Sequence, residues 1–131
     1  EGIVGINGGF GDDNGESSAT RLSGVYIPSS VTYIGSYTFT GSRSLSTITF
    51  APGSQLTVIS ELALGDTTSL KNIKLPDTIE YLGELVFYYS SLSTITFEGT
   101  TTQWNAIEKG DEWNGGIPAT KVICSDGEVE L

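Results

Sequence analysis

Apolar residues recur along the chain in a fixed pattern of six, in which the first, fourth and sixth positions are hydrophobic. The hexapeptide LSTITF occurs twice, at 45–50 and 92–97, and the looser copies LSGVYI and LKNIKL begin at Leu22 and Leu70. The starts are therefore 45 − 22 = 23, 70 − 45 = 25 and 92 − 70 = 22 residues apart. The alternating positions predict short β-strands with one buried face. A repeat of roughly 20 to 50 residues predicts stacked units.

Each unit also carries further apolar positions that recur in phase with the hexapeptide. A turn and a second apolar pair follow the first strand, and this pair predicts a second strand in every coil. The pairs are Val31 and Ile34, Leu56 and Ile59, Ile79 and Leu82, and Trp104 and Ile107. Bulky side chains follow in three units, at Phe39, Leu64 and Phe87, and prolines stand at or just beyond the first strand, at Pro28, Pro52 and Pro76. Proline fits there because a ladder N–H is no longer needed.

A single coil of this size cannot bury enough apolar surface to offset the entropy of ordering its backbone. Stacked coils cover one another's apolar side chains and share backbone hydrogen bonds. We therefore expect a β-rich solenoid with parallel short strands and little helix, capped at both ends. The predicted divisions are an N-terminal cap at 1–21, repeats at 22–97 and a C-terminal cap at 98–131. A strand at Ile3–Ile6 is expected to cover the N-terminal end, and Trp104 and Trp113 to fill the C-terminal cap.

Composition narrows the possible partners. Sixteen acidic residues against six basic ones give a net charge of −10 and an isoelectric point near 4.1, which disfavours nucleic acid and anionic lipid. No apolar run is long enough for a membrane span, and any export signal or anchor is expected outside this sequence. The lone Cys124 lies in the strand-like run KVIC and is expected to be an inert buried thiol.

The chain lacks the usual residues of enzyme chemistry. It has no histidine, which excludes Ser-His-Asp and Cys-His catalysis and common zinc sites, and it has no phosphate-binding glycine loop. The acidic groups in 77–84 and 108–112 are expected to be solubilising charge. The oxygen-bearing residues Asp12, Asp13, Asn14 and Glu16 are weak candidates for calcium, because their spacing departs from the known calcium loop. We predict no enzyme activity and no cofactor.

The repeats resemble the BspA-like class of leucine-rich repeats of bacterial surface proteins. The clearest copies are LSGVYIPSSVTYIGSYTFTGSRS at 22–44 and LKNIKLPDTIEYLGELVFYYSS at 70–91, and the tail GTTTQWNAI at 99–107 is similar to the closing unit of such arrays. The resemblance implies a right-handed solenoid displayed outside the cell and used for adhesion or protein recognition. The chain departs from the family where Ala-Phe is usual, at Thr38-Phe39, Ala63-Leu64 and Val86-Phe87.

Two rows of outward side chains are the predicted contact residues. Alternation on the first strands turns Tyr26, Thr49, Lys74 and Thr96 to the surface. On the second strands and the following corners, Tyr33, Tyr37 and Tyr81 belong to an aromatic and aliphatic stripe. The tyrosines either dock a partner or brace neighbouring coils, and the sequence leaves both open.

The sequence therefore favours a non-catalytic, extracellular or cell-surface module that binds protein partners, either host or bacterial surface proteins. The alternative is a structural spacer or a self-associating scaffold within a larger surface protein.

Overall fold

Two columns of parallel strands run along the stack. The structure is a computed structural model, and it describes residues 5–6 and 22–131. Its elements in chain order are β1 (Gly5–Ile6), β2 (Gly24–Ile27), β3 (Tyr33–Ile34), β4 (Thr47–Phe50), β5 (Val58–Ile59), β6 (Asn72–Leu75), β7 (Tyr81–Leu82), β8 (Thr94–Phe97), α1 (Thr101–Ala106), β9 (Glu108–Lys109), β10 (Lys121–Cys124) and β11 (Gly127–Glu130). The predicted solenoid of parallel short strands with little helix is confirmed.

The first strands pair in register, so equivalent hexapeptide positions lie side by side. Gly24 pairs with Thr47 in β2 and β4, and Asn72 pairs with Thr94 in β6 and β8. The hexapeptide leucines stand at the same offset from these pairs and share one column. Leu45, Leu70 and Leu92 are fully buried, whereas Leu22 at the outer coil is half-buried. The repeated hexapeptide thus fills the same core position in successive coils.

The second strands form one uninterrupted ladder, in the order β1, β3, β5, β7, β9. Ile34, Ile59 and Leu82 occupy its inward column and are fully buried. At its N-terminal end, β1 pairs with β3, where the sequence predicts a covering strand; the rest of the predicted N-terminal cap lies outside the described residues.

The first column of strands is split, which differs from the single ladder expected from the sequence. β2 pairs only with β4, while β6, β8, β10 and β11 form a separate sheet. β4 and β6 still lie next to each other, but no strand ladder joins them. The split falls at the longest repeat, which contains the turn APGSQ at 51–55.

The bends that close each coil contain two columns of residues in the left-handed backbone region. Backbone hydrogen bonds from Tyr37 N–H to the Glu61 carbonyl and from Leu62 N–H to the Glu84 carbonyl, 3.0 and 3.1 Å long, set the register. The first column contains Tyr37, Leu62, Leu85 and Glu112, and the second contains Gly41, Asp66, Tyr89 and Gly116. Only glycine adopts this conformation without steric cost, so six of the eight corners are strained.

Close approach of neighbouring backbones explains the glycine that follows the second strand. A Cβ at Gly83 would lie 2.4 Å from the Glu61 backbone nitrogen, and one at Gly110 would lie 2.5 Å from the Glu84 nitrogen. Both distances are far below van der Waals contact, so a larger residue would force the coils apart.

Serine and threonine hydroxyls join adjacent coils, which accounts for their abundance in the turns. The Ser69 hydroxyl donates to the Arg43 carbonyl and the Ser91 hydroxyl to the Thr68 carbonyl, each at 2.7 Å. The same arrangement recurs at Thr40, Ser46, Thr57, Thr78 and Ser93. These bonds add to the backbone hydrogen bonds between coils, and the carbonyls of Ser23 and Lys71 accept both a hydroxyl and a backbone N–H.

The C-terminal end is closed by α1 and the β10–β11 hairpin. Thr100 caps the helix in a capping box. The Gln103 N–H donates to the Thr100 hydroxyl, and the Thr100 N–H donates to the side-chain oxygen of Gln103. Trp104 is buried, and its ring centroid lies 5.5 Å from that of the half-buried Trp113, so the cap contains both tryptophans as expected.

The predicted pairing of Trp104 and Ile107 as a second strand is wrong. Because the chain forms a helix here, the strand β9 begins one residue beyond Ile107, and Lys109 takes the place next to Leu82. The Lys109 ammonium donates to the carbonyls of Trp104 and Ile107 at 2.9 and 3.0 Å and lies 4.7 Å from the Trp104 ring centroid. Partial burial lowers the pKa of Lys109. Lys109 thus follows Leu82 as the last residue of the inward column. Its ammonium also binds carbonyls at the C-terminal end of the helix.

We expect glycine to have opposite effects at two exposed glutamates of the last coil. Glu112→Gly should raise the free energy of unfolding by about 1 kcal/mol, because it relieves a left-handed backbone at φ 51°. Glu108→Gly, in the extended strand β9, should lower it by about 0.5–1 kcal/mol. Urea denaturation measures both, and a shift of the same sign in the two variants would contradict this account of the corners.

Two buried serine hydroxyls, at Ser42 and Ser90, have no hydrogen-bond partner in the described structure. An unsatisfied buried hydroxyl costs roughly 1–3 kcal/mol, so Ser42→Ala and Ser90→Ala should each raise stability by about 1 kcal/mol. Thr67 is equally buried, but its hydroxyl donates to the Leu64 carbonyl at 2.8 Å. Thr67→Val should therefore lower stability by about 1 kcal/mol. Thermal unfolding of the three variants compares them directly, and destabilisation by both alanines would refute the assignment.

Candidate recognition surface

The outward side of the first strands forms a face that we call the first-ladder face. Tyr26 pairs with Thr49, and Lys74 pairs with Thr96, as the sequence predicts. Tyr26 has 62% of its surface exposed, Thr49 and Lys74 are exposed, and Thr96 is half-buried. Pairing of β8 with β10 adds the exposed Ile123 beside Thr96. This face is polar and carries one large aromatic ring.

The split between β4 and β6 divides the first-ladder face. A groove of about 340 Å³ lies along it, lined by Ile48 and Ile73 together with Ser46, Thr47, Thr49, Asn72, Lys74, Thr94 and Thr96. Lys74 is within 3.6 Å of Glu98. Tyr26 and Thr49 consequently lie on one segment, and Lys74 and Thr96 on the other.

The outward side of the continuous ladder forms a second face, the second-ladder face. Tyr33, Val58 and Tyr81 share one column and are half-buried, while the column ends in the exposed Glu108. Tyr37 stands at the adjoining corner and is 51% exposed. The ladder tyrosines therefore pack between neighbouring side chains, whereas Tyr37 presents its ring to solvent. Any binding role for these tyrosines stays a prediction.

Carboxylates accompany the tyrosines on the second-ladder face. Glu61, Glu84 and Asp111 occupy equivalent positions in three consecutive coils, because their carbonyls accept the corner N–H groups of Tyr37, Leu62 and Leu85. The N–H of Glu108 likewise donates to the Glu80 carbonyl at 3.0 Å, placing these two residues in adjacent coils. Glu84 and Asp111, which the sequence predicts to be solubilising charge, are thus aligned with Glu61 along one side of the stack.

A second groove adjoins this face where the turns before β5 and β7 meet α1. It measures about 490 Å³ and is lined by Gln55, Asp77, Glu80 and Gln103 with Ile79 and Ile107, together with Thr57, Thr78 and Ala106. Sequence reasoning missed this groove because α1 forms one of its walls, and the helix was not anticipated.

Sequence reasoning also missed a pair of stacked tyrosines on the bend. The Tyr88 and Tyr89 rings lie 4.2 Å apart at 23°, and Tyr89 is 60% exposed. The left-handed backbone of Tyr89 turns its ring beside that of its neighbour. Hydrogen bonding to Tyr89 raises the pKa of Tyr88, and Glu112 adds to the rise. The sequence signal was the doubled tyrosine itself.

The described residues contain no group of three or more histidine, cysteine or acidic side chains arranged to hold a metal ion. The weak calcium candidates Asp12, Asp13, Asn14 and Glu16 lie outside the described residues. Cys124 is buried, and burial raises the pKa of its thiol, which agrees with an unreactive side chain. In the part of the chain from 22 to 131, no helix has the length and apolar character needed to cross a membrane.

The in-register coils and their surface faces define a leucine-rich-repeat solenoid. The family profile described as "BspA type Leucine rich repeat region (6 copies)" matches residues 17–108. Since this match covers more than half of the chain, the protein belongs to the BspA-type leucine-rich repeat family. Solenoids of this kind are typically non-catalytic and generally mediate protein–protein interactions.

Two solved structures are similar to this one. The pneumococcal vaccine antigen PcpA matches with a TM-score of 0.57 and 30% identity over 58% of this chain and 19% of the antigen. A leucine-rich repeat protein from Bacteroides capillosus matches with a TM-score of 0.54 and 29% identity over 76% of this chain and 80% of that protein. No match was found among curated proteins. The matched part of this chain corresponds to only 19% of the length of PcpA.

The tyrosine pair can be tested by titration. Tyr89→Phe removes the hydroxyl that hydrogen-bonds to Tyr88, so the pKa of Tyr88 should fall towards its ordinary value. NMR of the Tyr88 ring carbons across alkaline pH measures the midpoint. Tyr26→Phe, on the first-ladder face, should leave it unchanged. An unchanged midpoint in Tyr89→Phe would show that the two hydroxyls do not interact.

Proposed function

We propose that this protein is a non-catalytic recognition module that binds a protein partner through the repeat surface, as part of an extracellular or cell-surface protein. The observation that carries the proposal is the exposure of Tyr26 and Tyr37 at 62% and 51% on coils held by in-register hydrogen bonds. A tyrosine ring on a rigid backbone offers large contact area at little entropic cost, and such rings are frequent energetic centres of interfaces.

The charge and the fold support the same proposal. The net charge of −10 disfavours nucleic acid and anionic membranes as partners. The two faces present hydroxyls, carboxylates and tyrosines without an enclosed pocket of catalytic groups in the described residues. Membership of the BspA-type repeat family and the similarity to the pneumococcal vaccine antigen PcpA support a surface location.

A structural spacer or self-associating scaffold is the second candidate function. The half-buried state of Tyr33 and Tyr81 favours it, because rings packed between side chains brace the ladder. A spacer would be monomeric and would bind no partner through these faces. A scaffold would bind a second copy of itself.

Alanine variants distinguish these functions. We expect Tyr26→Ala and Tyr37→Ala to weaken binding to a partner by about tenfold or more, equivalent to roughly 1.4 kcal/mol or above. Biolayer interferometry against purified host and bacterial surface proteins measures the affinity. Tyr89→Ala is the matched control, since Tyr89 is similarly exposed but belongs to the second column of bend corners and to neither ladder face. Thermal unfolding should show that the variants keep the fold.

The remaining predicted contacts, Tyr33, Thr49, Lys74, Tyr81 and Thr96, are tested in the same series and map the partner to one face. Sedimentation equilibrium of the unmodified protein tests self-association. A partner whose affinity is unaffected by every variant except Tyr89→Ala would contradict binding through the ladder faces. A monomer with no partner in the panel would support the spacer.

A further inference from the structure

We propose that the groove between α1 and the second-ladder face, which we call the acidic groove, binds an arginine or lysine side chain of the protein partner. The carboxylates of the second-ladder face would continue the contact along the stack. The inference rests on the proposed recognition function and adds the partner's chemistry and its point of entry.

The acidic groove has the shape and lining that a long cationic side chain needs. Its volume is about 490 Å³, and Asp77 and Glu80 both line it. Ile79 and Ile107, which are 4% and 6% exposed, supply an apolar floor. Arginine and lysine place their methylene stems on apolar surface and their charge against carboxylates. The Gln103 wall is held in place by the cap of α1.

No cation among the described residues 22–131 forms an ion pair with a groove carboxylate. The described ion pairs are Arg43–Asp66, Lys74–Glu98 and Lys121–Glu128, and none involves a groove carboxylate. Lys109 is near in sequence, but its ammonium is bonded to the carbonyls of Trp104 and Ile107. Asp77 and Glu80 therefore have only solvent as their counterpart among the described residues.

The surrounding charge has the same sign, which favours a cationic partner. Glu80 and Glu108 lie in adjacent coils, and Glu61, Glu84 and Asp111 line up beside them. Like charges at the spacing of neighbouring strands repel each other, and a bound cation removes that repulsion. The net charge of −10 would also speed the approach of a basic segment.

Tyr81, on the adjoining second-ladder face, offers a contact to the part of a cationic partner that lies beyond the groove. It follows Glu80 directly and pairs with Glu108 across the ladder. An ammonium or guanidinium group is attracted to the face of a tyrosine ring as well as to carboxylates. Tyr81 does not line the groove, but it would contact a cationic segment that extends from the groove along the second-ladder face.

Other ligand classes fit less well. The described residues offer no cluster of three acidic or sulfur ligands for a metal ion. No aromatic side chain lines the groove itself, so a sugar ring would have no stacking platform there. A cationic side chain needs neither, and it matches the charge that is present.

A labelled peptide of alternating glycine and arginine tests the proposal with the intact chain. NMR titration should show saturable shifts at Gln55, Glu80 and Gln103. Asp77→Asn with Glu80→Gln should weaken binding by about tenfold or more, because the paired charges are lost. The matched control, Glu98→Gln with Glu130→Gln, removes the same number of exposed charges elsewhere and should have a far smaller effect. Tyr81→Leu should weaken binding about threefold, since it removes the ring.

A peptide with citrulline in place of arginine keeps the shape and removes the charge, and it should not bind. Equal weakening by the two double variants would overturn the proposal, because it would leave only attraction to net charge. Binding of the citrulline peptide would also overturn it. If the groove variants leave a protein partner's affinity unchanged while Tyr26→Ala weakens it, this inference fails and the proposed function stands.

Discussion

The stack depends on backbone hydrogen bonds that join equivalent residues of neighbouring coils. A coil of 22 to 25 residues has too little interior of its own, so its apolar side chains are buried only when the next coil lies in register. The continuous second ladder and the corner bonds from Tyr37 and Leu62 maintain this register on two sides of each coil. The column of Leu45, Leu70 and Leu92 follows from it, because residues at equal offsets must coincide.

The same requirement explains features that appear costly when each residue is considered alone. A bend at the same position in every coil must keep the same backbone conformation to stay in register, whichever residue occupies it. Leucine, glutamate and tyrosine therefore adopt the left-handed region at Leu62, Glu112 and Tyr89, where glycine would be easier. Gly83 is required for a related reason, since the neighbouring backbone leaves no space for a Cβ. Strain at the corners is compensated by burial and hydrogen bonding throughout the coil.

Periodicity predicts what the repeats share, and it fails where the coils differ. The alternation of apolar residues predicted the strands, the leucine column and the outward positions of Tyr26 and Lys74, because these depend only on register. It did not predict the split between β4 and β6, which falls at the longest repeat, nor the helix α1, which stands where a strand was expected. The pairing of Lys109 with Leu82 was missed because it depends on this helix, which shifts the following strand. The acidic groove was also missed, since it exists only between a repeated turn and the helix that departs from the repeat.

The difference between the two faces bears on where a partner would bind. The first-ladder face is divided between β4 and β6, so side chains on its two segments are not held by one set of strand bonds. The second-ladder face is continuous, and its tyrosines and carboxylates have positions fixed from coil to coil. A rigid array loses less entropy on binding, and multiple weak contacts add effectively only when their spacing is fixed. The departure from the repeat at α1 then supplies a groove beside this array, and the row of contacts would end at that groove. A partner that binds along the second-ladder face would accordingly be positioned by the acidic groove, and the tyrosines and carboxylates of that face would contact the rest of it.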